Sequence, residues 1–488
     1  MTHNISNTTL NAGISLPTYD RKRLKAKIVH LGFGAFHRAH QALITSEVLA
    51  KTSADWGICE INLFGGEELI TQLRAQDHLY SVAEKGADTT TVKIIGSVIE
   101  SLHPTFDGQQ AVLEKMAEEQ VAIVSMTITE KGYCIDPATG CLDKNNALIK
   151  ADLITPSEPT SAIAYIVEAL RIRRVRNIQP FTVMSCDNIQ GNGHVARAAV
   201  LDFANLVAPE LANWIKTNVT FPCTMVDRIV PAATAETLSE ITDLLGVSDP
   251  CGIACEPFIQ WVIEDNFVNG HPDWNLACAE FVPDVVPFEE MKLRMLNGSH
   301  SFLAYLGYLG GYAHISDTMT NEHYRKAAFD MMMKAQAPTL NMPEGTDLNT
   351  YAKLLIDRYS NPSLKHQTWQ IAMDGSQKIS QRMGGSLRFH LQNETDYRWL
   401  AMGIAGWMVY VSGVDEKGNA IDVRDPMSEQ FKTIYQQHGK NRSVVKALLG
   451  IEAIFSTDLI KNDQFVDEVS KAYELIISKG ARNAVASL

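Results

Sequence analysis

The feature that most limits the fold is an ordered alternation. Between residues 27 and 185 short apolar runs of strand character take turns with segments of helical spacing. Strand character falls at 27–33, 56–63, 91–99, 121–128 and 181–185, and helical spacing at 36–49, 67–75, 111–118 and 161–173. Parallel strands need a crossover helix to bring the chain back, so this order predicts a mostly parallel, doubly wound α/β sheet. From about residue 286 the pattern changes. The stretches 291–309, 323–336, 348–359, 399–410 and 464–477 are all helix-periodic, and Pro338, Pro343 and Pro362 punctuate them. The expectation is an α/β domain over 1–283 and an all-α domain over 284–488. Pro283 and Pro287 make a stiff crossing in place of a Gly/Ser-rich linker.

Two domains also suit a chain of 488 residues, because one core stops growing at roughly 250–300 residues. The balance of 43 basic against 56 acidic side chains, a formal charge of −13, argues against nucleic acid or an anionic membrane as a partner. The basic cluster at 21–27 runs straight into an apolar strand and reads as solvated. No apolar stretch reaches the roughly 18 residues of a spanning helix, with 400–411 the nearest, and 1–16 lacks the charged start and apolar core of a signal peptide. Eight scattered cysteines suit reduced thiols, hence a cytoplasmic location. Cys251 and Cys255 have no second pair and no His-x3-His beside them, so no metal is expected.

Gly32 and Gly34 stand between the first strand and the first helix, where a dinucleotide site needs glycines so that backbone N–H groups can approach a pyrophosphate. The third glycine of the usual pattern is replaced by His37. Spacing alone allows a plain tight turn; the position as first strand–turn–helix favours a cofactor. A ribose-binding acid belongs at the end of the second strand, where Glu60 stands, with Glu67 as an alternative.

A polar arc marks the start of the helical half. With Lys292 at 0° on an ideal helix, Glu289 falls at about 60°, His300 at about 80° and Asn297 at about 140°. Leu293 and Leu296 share the arc, so the lysine can be buried, and burial lowers a lysine pKa toward the range of a general acid/base. Lys292 and His300 are nevertheless about 12 Å apart along the axis. Convergence requires a distortion, for which Asn297-Gly298 is the candidate; otherwise this is a charged helix edge. Elsewhere, Asn188 ends a strand on the ligand side of an open sheet, where it can donate to an alkoxide or cap a turn. Asp227 and Arg228 are adjacent opposite charges, whose plain reading is a structural ion pair.

Five segments together resemble the mannitol dehydrogenase family, the polyol-specific long-chain dehydrogenases. They are Gly32 to Gln41, Thr127 to Tyr133, Ser185 to Asn188, Val226-Asp227-Arg228, and Lys292-x4-Asn297-x2-His300. The family also reads Gly-x-Gly-x-Phe-His-Arg, so the missing third glycine is no departure. The resemblance implies a Rossmann-type first domain, a helical second domain and NAD as cofactor. The residues expected around the cofactor are Ile28, Leu31, Gly32, Phe33, Gly34, Ala35, Phe36, His37, Arg38 and Glu60. Lys292 matches the family's general acid/base, Asn188 and Asn297 the pair that holds the alkoxide, and His300 the substrate-positioning residue. Asp227 and Glu289 match positions linked to tuning or proton passage. Within the family the likeness is greatest to members acting on sugar acids, which implies metal-free hydride transfer between D-fructuronate and D-mannonate. The substrate carboxylate then needs a cation, from Lys131, Arg228, Lys378 or Arg382, with Lys378 favoured. The rival expectations are the mannitol/fructose or altronate/tagaturonate pair, and a non-catalytic NAD(H) sensor. The expected partner is a small sugar acid.

Overall fold

The computed structural model describes residues 5–136 and 139–488; the first four residues of the expected α/β domain lie outside it. The chain divides into two units between Val286 and Pro287.

The described residues of the first unit hold eleven strands: β1 (Lys25–Leu31), β2 (Trp56–Ile61), β3 (Tyr80–Lys85), β4 (Thr90–Ile95), β5 (Val98–Leu102), β6 (Ile123–Met126), β7 (Thr182–Ser185), β8 (Thr224–Asp227), β9 (Ile253–Cys255), β10 (Gln260–Glu264) and β11 (Ala279–Val282). Five form a parallel sheet in the order β5-β2-β1-β6-β7. The side chains of β1 alternate between two cores. Val29 and Leu31 pack with Cys59, Ile61, Val124 and the helices Gln109–Ala117, Ala162–Val175 and Asn192–Val207. Ile28 packs on the other face with Ile58, Ile123, Met184 and the helix Gln41–Lys51. Each fully buried aliphatic residue of such a strand contributes roughly 1.5–3 kcal/mol.

Two further sheets of three strands, β11-β10-β8 and β4-β3-β9, are mixed and escape the alternation signal. The expected strand over 91–99 is two strands, β4 and β5, which leave one sheet for another across Gly96-Ser97. The expected helix over 36–49 is also broken, into Ala35–Ala39 and Gln41–Lys51, by the irregular backbone of His40.

Register decides where the loops emerge. Leu31 pairs with Ile61 and Met126, Ile61 with Leu102, and Met126 with Ser185. The carboxyl ends of all five parallel strands therefore share one edge. The turns that begin at Gly32, Asn62, Thr127 and Cys186 leave from that edge, with β2 and β6 on opposite sides of β1, the switch point where such sheets bind ligands.

The second unit is helical. Leu348–Tyr359, Arg398–Tyr410 and Asp463–Lys479 are regular α-helices. Three other segments are π-helical: Lys292–Gly298, Met331–Gln336 and Ser380–Gly384. They converge at Gly298, where a Cβ would lie 2.8 Å from Gln336 Nε2 and 3.3 Å from the Arg382 carbonyl. A side chain there would have to displace the Gln336 amide. No helix among the described residues is long and apolar enough to cross a membrane.

Candidate active site

The turn after β1 is built so that only glycine can occupy position 32. Its φ is +109°, and a Cβ there would sit 2.3 Å from the Thr127 carbonyl oxygen. The Gly32 N–H donates to the Ile61 carbonyl at 2.8 Å, and the Phe33 N–H to Asn62 Oδ1 at 2.7 Å. Gly34 is exposed, and a Cβ there would meet nothing nearer than 3.8 Å. Gly32, Gly34, Ala35 and Phe36 thus offer their surface at the carboxyl edge of the sheet.

The other residues expected around the cofactor support this turn from inside. Ile28 and Leu31 are fully buried in the two cores. Arg38 donates through NH1 to the Cys251 carbonyl at 2.5 Å and through Nε to the Gly34 carbonyl at 3.3 Å. His37 Nε2 lies 2.5 Å from Glu60 Oε1, with both side chains fully buried. Glu60 has this position because it pairs in register with His30, on the β1 face opposite Val29 and Leu31. Burial pushes its carboxyl pKa up to about 8 and the His37 imidazole down to about 3, so the pair is neutral. Glu60 is therefore an interior hydrogen-bond partner of His37 and offers no exposed carboxylate to a ribose. Glu67 stands in the first turn of the helix Glu67–Ala75, half exposed.

His30 stacks on His37, ring centroids 3.4 Å apart and planes 14° from parallel. Its Nδ1 is 2.8 Å from Ser125 Oγ, and its Nε2 is 3.0 Å from Thr127 Oγ1 and 3.1 Å from the Gly32 carbonyl. Among the described residues, His30, His37 and Glu60 are the one trio whose ligand atoms lie within 4.8 Å of one another. Parallel imidazoles keep their in-plane lone pairs in separate planes, and both His30 nitrogens are engaged. The trio fits a hydrogen-bond network beneath the glycine turn better than a metal centre.

Two of the sequence segments are bolted together at the ends of β6 and β7. Asp187 accepts from the Ile128 N–H at 3.0 Å, the Thr129 N–H at 2.9 Å and the Tyr133 hydroxyl at 2.7 Å. Burial raises its pKa against the pull of these donors. Thr129 takes a left-handed φ of +62°, which the two donors to Asp187 help to hold. Lys131, in the short helix that follows, and Asn188 are both exposed on this edge. Asp227 ends β8 and is buried. Asp187 and Tyr133 had no role in the sequence reading, yet Asp187 lies inside one quoted motif and Tyr133 closes another.

Arg228 is engaged within the first unit. It donates through Nε and NH2 to the Glu256 carbonyl at 3.0 and 2.8 Å, through NH1 to the Ala39 carbonyl at 2.5 Å, and through NH2 to Glu84. Its side chain is fully buried. The ion pair expected at the Asp227-Arg228 dipeptide is one between Arg228 and Glu84.

In the second unit the distortion required by the helical arc is the π-turn Lys292–Gly298. An i→i+5 turn takes up one extra residue, so positions beyond it lag by one step of about 100°. Asn297 moves from about 140° to about 40° from Lys292, and His300 from about 80° to within about 20°, on the same rule. Lys292, Asn297 and His300 then form one stripe. Glu289 precedes the turn and is half-buried.

Lys292 is 8 % exposed and His300 7 %. His300 Nε2 has no hydrogen-bond partner among the described residues, although it is buried. Burial, then the neighbouring His366, Arg382, Arg358 and Lys378, pushes the imidazole well below its ordinary pKa, so it is neutral. All four neighbours are basic. Lys378 donates to the Met373 carbonyl at 2.6 Å and lies 4.0 Å from Asp374 Oδ2; its short helix, Gly375–Ile379, is pinned where Ser376 donates to Asp425 through N–H at 2.8 Å and Oγ at 2.6 Å. Arg382 donates through NH1 to the Asn297 carbonyl at 3.3 Å and to Ser301 Oγ at 2.7 Å, which ties it to the π-turn. Arg358 and His366 lie in stretches where no sequence pattern singled them out.

Comparison with known proteins gives this arrangement a class. Residues 26–276 match the mannitol dehydrogenase Rossmann domain and residues 284–477 the mannitol dehydrogenase C-terminal domain. The D-mannonate oxidoreductase of Escherichia coli is 63 % identical over 98 % of this chain and 99 % of its own length. Among solved structures, the Pseudomonas fluorescens mannitol 2-dehydrogenase ternary complex with NAD and D-mannitol is 36 % identical, with TM-score 0.82 over 98 % of this chain and 97 % of that one. A substrate-free D-sorbitol dehydrogenase is 35 % identical, with TM-score 0.93 over 99 % and 100 %. The protein is an NAD-dependent oxidoreductase acting on CH–OH groups of a polyol or sugar acid. It belongs to the mannitol dehydrogenase family. The glycine turn, with one glycine that no side chain can replace and another left exposed, fits the backbone approach that NAD requires.

Proposed function

We propose that this enzyme catalyses D-fructuronate + NADH + H⁺ ⇌ D-mannonate + NAD⁺. The observation that carries the sugar-acid reading is the setting of His300, a buried imidazole whose Nε2 has no partner among the described residues and which lies near Arg358, Lys378 and Arg382. The name borne by the 63 % identical Escherichia coli relative supports it. NADH, when bound, supplies the hydride.

Reduction of the ketone leaves negative charge on its oxygen. Lys292 donates the proton from Nζ to that oxygen, and takes one back in the reverse direction. The amides of Asn297 and Asn188 stabilise the alkoxide; a donor of this kind contributes roughly 2.7–4 kcal/mol in comparable oxyanion sites. His300 uses Nε2 to orient a substrate hydroxyl. Lys378, whose ammonium donates to the Met373 carbonyl and is only loosely paired with Asp374 at 4.0 Å, holds the carboxylate. Arg382 acts from the π-turn it braces, Lys131 is the reserve cation, and Asp227 and Glu289 assist proton passage. The exposed face of Gly32 to Phe36 receives the cofactor.

The test is NADH oxidation, followed by absorbance, with D-fructuronate, tagaturonate and D-fructose offered separately to wild type and Lys292→Ala. Selective turnover of fructuronate is expected. The variant should lose roughly 10²–10⁴-fold in kcat while still binding NADH. Turnover of fructose alone would discard the uronate assignment, and full turnover by the variant would discard Lys292 as the acid.

A further inference from the structure

Three successive carbonyls at the end of the π-turn are each engaged by a side chain. Ser299 Oγ donates to the Met295 carbonyl at 2.5 Å, the Tyr359 hydroxyl to the Leu296 carbonyl at 2.8 Å, and Arg382 to the Asn297 carbonyl at 3.3 Å. The Tyr359 oxygen also lies 2.9 Å from Ser299 Oγ. Its ring stacks on the His300 ring, centroids 5.2 Å apart and planes at 24°. Tyr359 is the last residue of the regular helix Leu348–Tyr359 and is 5 % exposed, so it is a fixed point.

We propose that Tyr359 is a positioning residue that holds the π-turn and thereby aligns Lys292, Asn297 and His300. The proposal rests on the reading of Lys292 as the acid. A π-turn competes with the ordinary α-turn of the same residues, and its carbonyls sit off the α-helical hydrogen-bond line. A donor fixed in a separate helix and aimed at one of those carbonyls favours the π form. Relaxation to an α-turn would carry His300 from within about 20° of Lys292 out to about 80°. The hydroxyl therefore sets the register of the stripe and the ring sets the plane of the imidazole. Tyr359 does this through the backbone and through His300, without contact to the reacting atoms.

Tyr359→Phe keeps the ring and removes the hydroxyl. Its kcat should fall about ten- to a hundredfold, the scale of loss expected of a misplaced acid. The Kd for NADH, from fluorescence titration, should stay within about twofold, since the glycine turn is untouched. The solvent deuterium isotope effect on kcat should rise, because proton transfer from a misaligned lysine becomes slower than the other steps. Ser299→Ala removes the hydroxyl that shares the contact and carries the test alone if Tyr359→Phe fails to fold. Where both fold, the loss in the double variant should be smaller than the product of the single losses. Wild-type kcat and isotope effect in the folded variants would overturn the proposal, as would a loss equal to the loss of folded protein by circular dichroism. Lys292→Ala keeps the two readings apart. If it is inactive while Tyr359→Phe is unimpaired, only the positioning role fails; if it retains turnover, the acid assignment itself fails.

Discussion

Glu60 and His37 meet as two fully buried side chains, and the burial that favours a protonated Glu60 carboxyl makes stability depend on pH. The ordinary Glu60 pKa is 4.5, and burial raises it to about 8 in the folded chain. Between those values the folded state keeps a proton that the unfolded state has lost, so this group's contribution to stability shrinks from pH 5 to 8. Glu60→Gln cannot ionise and can still donate an N–H to His37. Its Tm relative to wild type should therefore become steadily more favourable across that range, read by thermal unfolding at a series of pH values. A difference that stays flat would mean the carboxyl is ionised in the fold. Chain spacing placed Glu60 at the end of a strand, but not which face its side chain takes. That was decided by pairing with His30, and it moved the acid from the ribose edge into the interior.

At the level of elements, the two glycines of the turn make separable demands. Gly32→Ala would put a methyl 2.3 Å from the Thr127 carbonyl on a backbone with φ +109°. It should cost about 1–3 kcal/mol in stability and raise the Kd for NADH. Gly34→Ala has ordinary φ and open space, so its Tm should barely change; any weakening of NADH binding would then report the close approach of the cofactor backbone. Fluorescence titration and thermal melts of the pair separate the two demands, and equal melts for both variants would refute the distinction. The π-turn is the element least legible beforehand. Apolar spacing at 291–309 announces a helix and the arc of polar groups announces a function. The extra residue in the turn comes from packing against Gln336, Tyr359 and Arg382, none of which is near in sequence.

At the scale of the whole molecule, a chain of net charge −13 whose proposed substrate is an anion needs a local reversal of sign. The basic groups around His300 supply one. Lys378→Met should lower kcat/KM for D-fructuronate tenfold or more and change that for D-fructose much less, since only the former carries a carboxylate. Paired assays on one preparation measure the ratio. A parallel drop for both sugars would assign Lys378 to the shared hydroxyls instead. Of the four cations the sequence offered, packing removes Arg228 to a pair with Glu84 and ties Arg382 to the π-turn.

The sequence by itself determined the layout: alternating strands and helices up to 185, helices after 286, a glycine turn in first place, and a lysine–asparagine–histidine set on one helix. These are local periodicities and local backbone permissions, legible wherever they occur in a chain. The tertiary structure alone decided the mixed sheets, the inward face of Glu60, the partner of Arg228 and the π-turn that draws Lys292, Asn297 and His300 into one stripe. Each of these depends on atoms brought together from distant stretches, where a hydrogen bond or a close contact overrides what the neighbouring residues would otherwise prefer.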